Sequence, residues 1–346
     1  MLRPARLAVL GAGLIGKRHI EHILAEPEAE LAAIVDPAAP VGKLLAQEKG
    51  VPWFPSFADL LAVEKPEGII VATANQLHFP HGMEAIAMKL PVLIEKPITD
   101  DIASGTKLVE AAEAAGVPLL VGHYRRHNPI VSKAKEIIES GRLGRIIAVD
   151  AACWLMKPDD YFKMSWRREK GAGPVFLNLI HDMDLLRYLC GDVKSVQALE
   201  SSAVRGNAVE ESVVVLLRFA NGALGTVTLS DTIVAPWSWE MTTGENPAYC
   251  QTDQSCYYIG GTHGSLAIPK LDVWHHKDKR SWWAPIYVER VPFEPADPLR
   301  LQIRHFCRVV RGQEQPRVPG REGLKALQLI VAVKDAARTG ELIAIE

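Results

Sequence analysis

Along the first third of the chain, short apolar runs alternate with amphipathic segments. Arg6–Leu10, Leu31–Val35, Gly68–Thr73, Pro91–Lys96 and Pro118–His123 are rich in Val, Ile and Leu, and their length and composition predict strands. Between them, Leu14–Ala25, Val41–Gly50, Pro80–Lys89 and Ile102–Ala115 repeat apolar residues at three- and four-residue spacing, which predicts helices with one buried face. Strands that are apolar almost throughout, each followed by a helix, predict a parallel sheet covered on both sides, a doubly wound α/β unit.

The pattern changes after residue 122. Helical stretches at Pro129–Ser140 and Val175–Leu189 flank a strand at Ile146–Trp154. Runs of alternating character follow at Val193–Ser201, Ser212–Phe219, Ala223–Ser230, Tyr257–Ile259 and Ser265–Ile268, with Ala220-Asn221-Gly222 placed as a hairpin turn. These predict an α+β domain with a large, mostly antiparallel sheet and helices on one face. Pro236–Gln254, polar and aromatic with two prolines, reads as a long loop, and helices at Leu299–Arg311 and Arg321–Thr339 close the chain. The expected division is therefore residues 1–122 and 123–346.

Composition narrows the class. Among 346 residues, 39 Lys and Arg face 41 Asp and Glu, a net charge of -2, so no basic surface large enough for electrostatic nucleic-acid binding is expected. No apolar run approaches the roughly 20 residues of a membrane span, and the opening residues enter a strand and glycine turn directly, so a cytoplasmic protein without membrane association is expected. Five cysteines without CxxC spacing suggest neither disulfides nor zinc. His275 and His276 are adjacent and would point to opposite faces of a strand, and His78 and His81 have no carboxylate cluster beside them. No metal is expected.

The chemistry begins at Gly11-Ala12-Gly13-Leu14-Ile15-Gly16, a G-x-G-x-x-G run between a strand and a helix. Gly11, Gly13 and Gly16 let the backbone approach a pyrophosphate, and the helix opening at Leu14 and Ile15 offers N–H groups and a positive dipole end. Asp36, at the end of the second strand, suits the two ribose hydroxyls and would repel a 2′-phosphate, and Pro37-Ala38-Ala39 supply no cation to neutralise one. The first domain is thus expected to be a Rossmann domain that takes NAD, with NADP less favoured.

Glu95-Lys96-Pro97-Ile98 ends a strand at the carboxyl edge, where open α/β sheets bind ligands. With the glycine run, Val71-Ala72-Thr73-Ala74-Asn75-Gln76-Leu77-His78, Gly122-His123-Tyr124-Arg125-Arg126-His127-Asn128-Pro129 and His181-Asp182-Met183-Asp184-Leu185-Leu186-Arg187, it resembles the Gfo/Idh/MocA family of oxidoreductases over essentially the whole chain. The resemblance implies hydride exchange between a nicotinamide and a secondary alcohol of a sugar, cyclitol or related polyol. It places Lys96, often followed by a cis peptide, against the substrate oxygen, and gives His181 the hydroxyl proton. Histidine suits that task because its ordinary pKa lies near neutrality.

The resemblance also sets Thr73, Asn75 and His78 along the cofactor, Glu95 near the nicotinamide ribose and Trp166-Arg167 over the ring. Tyr124, Arg126 and Tyr161 are expected to line the substrate pocket. One position departs from the family: where many members carry an aspartate four residues before the histidine, this chain has Leu177. Asn178, three residues before His181, becomes the candidate polar neighbour, able to orient a hydroxyl or the imidazole but not to titrate. Two other readings share these residues: an enzyme that keeps NAD bound through transient redox chemistry, and a non-catalytic NAD(P) sensor. The resemblance further implies a homodimer or homotetramer joined through the sheet of the second domain, and a small polar substrate.

Overall fold

The computed structural model describes residues 3–169 and 171–345. In chain order the elements are β1 (Ala5–Leu10), α1 (Leu14–Ala25), β2 (Ala29–Val35), α2 (Ala39–Lys49), β3 (Trp53–Phe54), α3 (Phe57–Val63), β4 (Gly68–Val71), α4 (His78–Ala87), β5 (Val92–Ile94), α5 (Ile102–Ala115) and β6 (Leu119–Val121). They continue with α6 (Pro129–Glu139), β7 (Ile146–Trp154), α7 (Ile180–Cys190), β8 (Val193–Ser201), β9 (Ser212–Phe219), β10 (Leu224–Ser230), α8 (Trp239–Thr242), β11 (Tyr257–Gly261), β12 (Gly264–Ile268), β13 (Asp272–His275), β14 (Tyr287–Arg290), α9 (Pro298–Val310), α10 (Gly320–Thr339) and β15 (Ile343–Ala344).

Packing divides the chain into two units: Met1–His127 with Asp297–Leu327, and Asn128–Ala296 with Gln328–Glu346. The sequence pattern suggests one cut after residue 122; the chain instead returns to the first unit. The reason is α9, whose apolar residues Ile303, Phe306 and Cys307 join Leu7, Val9, Ile20 and Ile34 in one buried cluster. That burial stabilises α9 only beside β1, β2 and α1, some 300 residues earlier in sequence.

In the first unit six strands run in the order β3-β2-β1-β4-β5-β6, and every pairing is parallel. This is the doubly wound order whose crevice opens where neighbouring connections diverge, between β1 and β4. The strands β4, β5 and β6 are buried at every residue, as their unbroken apolar runs require. The pair β3 and α3 was not legible in the sequence pattern, because a two-residue strand leaves no periodic trace.

In the second unit nine strands follow the order β14-β13-β12-β11-β7-β10-β9-β8-β15. All neighbours are antiparallel except β7 and β10, which are parallel. Strand β9 alternates strictly, Val213, Val215, Leu217 and Phe219 buried and Val214, Leu216 and Arg218 exposed. The hairpin expected at Ala220-Asn221-Gly222 is present, with Gly222 at φ +89° and the Asn221 side chain accepting from the Ala223 amide. Pro236–Gln254 is not loop throughout: Ser238 caps α8, and the fully buried Trp239 stacks on Tyr257 with centroids 5.7 Å apart. Among the described residues no helix is long and apolar enough to cross a membrane.

Candidate functional site

In the first unit, β1 hands directly to the glycine turn. Gly11 sits at φ +97°, and a side chain there would meet the Ala72 carbonyl at 2.5 Å. A Cβ on Gly16 would lie 1.9 Å from the Gly11 carbonyl oxygen, whereas one on Gly13 would meet nothing within 4 Å. Gly11 and Gly16 therefore let the turn close, and Gly13 leaves space beside the N-terminus of α1, where Leu14 is exposed and Ile15 half-buried.

Asp36 accepts from the Ala12 amide at 2.7 Å and the Ala38 amide at 2.8 Å, one on each carboxylate oxygen, while its own carbonyl accepts from the Trp53 indole. Each oxygen retains a further lone pair. Thr73 follows β4, and its Oγ1 is buried with no hydrogen-bond partner among the described residues. An open Gly13, a fixed Asp36 and an unsatisfied hydroxyl at the carboxyl edge fit a dinucleotide, which would be held by these groups and the amides opening α1.

Around Lys96 the structure adds residues the sequence pattern did not single out. The Lys96–Pro97 peptide is cis. Glu95 is buried; it faces the Nε2 of fully buried His19 at 2.7 Å and accepts from the Lys96 amide at 3.1 Å. Burial pushes the Glu95 carboxyl up, but the hydrogen bond and field of His19, the charge of Lys96 and the Lys96 amide outweigh it and leave it below the usual carboxylate range. A Cβ on Gly122, just after β6, would lie 2.9 Å from that carboxylate and would push it from its place. The only trace of His19 in the sequence was its place three residues past Gly16, one helical turn on the same face.

His78 is fully buried, with ring nitrogens facing the Pro97 carbonyl at 2.8 Å and the Thr73 carbonyl at 3.2 Å. It stitches the loop after β4 to the corner that bears Lys96, and burial lowers its pKa. Asn75 is exposed at the start of a 3-10 turn. Arg126, expected against substrate, is buried and paired with Glu322 at 2.9 Å within the first unit; Tyr124 begins the same short turn and is half-buried.

In the second unit His181 lies in the first turn of α7 and is 8% exposed. Ten of the eleven residues of α7 are buried, and Asp182 accepts from the Tyr257 hydroxyl. The helix does not begin as a simple α-helix: Val175–Leu179 form a π turn, a rare conformation that favours functional sites. Its first amide, Val175 N–H, donates to Glu210 at 3.0 Å, and Gly173 makes room, since a Cβ there would lie 2.1 Å from the same oxygen.

Asn178 on this turn accepts a hydrogen bond at 2.9 Å from Lys157, a residue the sequence pattern did not mark. Tyr161 is half-buried and lies under two cations, the Arg167 guanidinium at 4.0 Å and the Lys157 ammonium at 5.1 Å from the ring centroid. Burial pushes the Tyr161 hydroxyl up; Arg167 opposes this and Asp231 adds to it. Arg167 also donates to the Tyr161 carbonyl, and the neighbouring Trp166 is 47% exposed. Among the described residues no three His, Cys, Asp or Glu side chains form a group able to hold a metal.

Residues 5–123 match the family model described as oxidoreductase family, NAD-binding Rossmann fold, and residues 131–267 match the GFO/IDH/MocA C-terminal domain. A 1,5-anhydro-D-fructose reductase of Ensifer adhaerens is 25% identical over 345 residues, covering 99% of this chain and 98% of the relative. A scyllo-inositol 2-dehydrogenase (NAD(+)) of Bacillus subtilis is 26% identical, covering 98% of this chain and 96% of its own. Among solved structures, the WlbA dehydrogenase of Bordetella pertussis in complex with NADH and UDP-GlcNAcA superimposes with a TM-score of 0.79 at 26% identity, over 99% of both chains.

Proposed function

The chain belongs to the Gfo/Idh/MocA family of oxidoreductases with an NAD-binding Rossmann domain, and from that premise we propose that it moves a hydride between nicotinamide and a secondary alcohol of a sugar, cyclitol or related cyclic polyol. The observation that carries this reading is that the chain holds both an EKP lysine, Lys96, at the carboxyl edge of its parallel sheet and a histidine, His181, in the first turn of a buried helix. The relatives named for anhydrofructose and inositol support a polyol of ring shape.

When bound, NAD supplies the hydride acceptor for alcohol oxidation. Lys96 would donate from its ammonium to the substrate oxygen, where negative charge grows as the hydroxyl proton is withdrawn and, in the reverse direction, as hydride reaches the carbonyl carbon. His181 accepts the hydroxyl proton through its imidazole and returns it in the reverse direction. Asn178 contacts a second oxygen of the substrate, and Tyr161 borders it. His19 and the Lys96 backbone amide hold the Glu95 carboxylate at the corner that bears Lys96.

A panel of sugars, cyclitols and sugar acids with NAD and with NADP, followed at the NADH absorbance band, tests the reaction. The expected outcome is turnover with NAD on at least one ring polyol. Lys96→Ala is expected to lower kcat by about 10²–10³, the usual effect of removing a donor to a developing oxyanion, with NAD still protecting the protein against heat. Undiminished turnover in Lys96→Ala overturns the role given to it. His181→Asn is expected to lose the proton step, seen as a kcat that recovers with rising pH.

The protein further assembles, on this reading, as a homodimer or homotetramer through the exposed face of its nine-stranded sheet. Leu216, Leu224, Tyr258 and Trp274 lie exposed there around a depression of about 710 Å³. Apolar patches of this kind on an antiparallel sheet commonly mark protein contacts.

A further inference from the structure

We propose that Lys157 is a positioning residue that fixes the Asn178 amide with its N–H donors turned outward, so that the protein reads an oxygen acceptor at this point of the substrate. The inference rests on the reading of Asn178 as a substrate contact.

Lys157 follows β7, and its backbone is itself anchored, its amide donating to the Asp231 carbonyl at 2.9 Å. Its side chain is only 10% exposed, which is costly for an ammonium unless the charge is paired. Asp231, 2% exposed, provides the pairing at 3.2 Å, and Arg205 braces that carboxylate at 2.6 Å. A second ammonium proton goes to Asn178 Oδ1 at 2.9 Å, and the Tyr161 ring lies 5.1 Å away.

An ammonium has donors only, so the amide must turn its oxygen to Lys157 and its NH2 away. Among the described residues Asn178 Nδ2 has no acceptor, and Asn178 is half-buried, so those donors face accessible space. Where Leu177 takes the position of the family's usual aspartate, the polar group three residues before His181 is thus a fixed donor and not an acceptor. A hydroxyl, carbonyl or carboxylate oxygen satisfies it. An ammonium substituent, with donors only and a like charge near Lys157, does not.

The test uses the full chain with NAD. In [15N]asparagine-labelled protein the Asn178 side-chain resonance is identified by its loss in Asn178→Asp. Lys157→Met is expected to shift or broaden that resonance, and Lys157→Arg to restore it; an unchanged resonance in Lys157→Met overturns the proposal. On the polyol that the panel identifies, Lys157→Met should raise KM about tenfold, the effect of one misplaced hydrogen bond, with kcat nearly unchanged, while the melting temperature falls because buried Asp231 loses one of its cations. A kcat that falls while KM stays at the wild-type value in Lys157→Met also overturns it. A panel without turnover defeats the dehydrogenase reading alone, and the amide resonance still decides this one.

Discussion

At the scale of single residues, the glycine run separates closure of the fold from space for the cofactor. Gly16→Ala puts a methyl 1.9 Å from the Gly11 carbonyl oxygen, a backbone atom that cannot move without opening the turn. Gly13→Ala meets no atom within 4 Å, and its cost as an N-cap change is under about 1 kcal/mol. Gly16→Ala should therefore lower the melting temperature markedly, while Gly13→Ala should fold normally and bind NAD about tenfold more weakly, because its methyl enters the space by α1. Thermal melts with isothermal titration of NAD check both, and a Gly13→Ala protein with wild-type NAD affinity would show that the cofactor does not approach there. These glycines were legible because the turn is local and contiguous. The partners of Lys96 and Asn178 were not: His19 reaches Glu95 across 76 positions, and Lys157 reaches Asn178 across 21, with no repeat to signal either.

Among the elements, the helix bearing His181 shows most clearly what a periodic pattern leaves out. Val175–Leu189 reads as one helix from its apolar spacing, yet it opens with a π turn whose first amide is capped by a residue from the approach to β9. Glu210, 4% exposed at its side chain, accepts from Val175 and from Lys334 on α10 at 2.7 Å, all within the second unit. Glu210→Ala strips both partners and should destabilise by about 2–4 kcal/mol, or several degrees in melting temperature for a unit of this size. Gly173→Ala should also destabilise, since its methyl would lie 2.1 Å from the Glu210 oxygen. The double variant removes that clash, so its cost should fall well short of the sum of the two. Additive losses in a double-mutant cycle of thermal melts would show that Gly173 serves something other than this cap. The short strands β13, β14 and β15 escaped the pattern for a different reason: β14 is exposed at all four residues, so nothing in its sequence had to alternate.

For the whole molecule, strand-helix alternation in the first third and strand alternation in the middle made both sheets legible, but the return of Asp297–Leu327 to the first unit was not, because an amphipathic helix does not state which core it covers. The same alternation bears on assembly. With Val215 and Leu217 committed to the core, Leu216 faces outward between Gln197 on β8 and Thr226 on β10, on the third strand from the β15 edge of the large sheet. It stays 49% exposed in the single chain, as do Tyr258 at 48% and Leu224 at 56%. A net charge of only -2 gives two copies little reason to repel one another, and a stable dimer needs roughly 1,200–2,000 Å² of buried surface, which a nine-stranded face can supply. In a twofold contact each substitution enters twice, so Leu216→Glu would bury two carboxylates against apolar neighbours, at several kcal/mol. Light scattering behind size exclusion should give the wild type a multiple of the 38.0 kDa chain mass and Leu216→Glu the single-chain value. Because Leu216 already faces out of the core, the variant should keep its melting transition, so a mass change would report assembly and not unfolding. A wild type that elutes at the single-chain mass, or a Leu216→Glu protein that keeps its multiple, rules out assembly through this face.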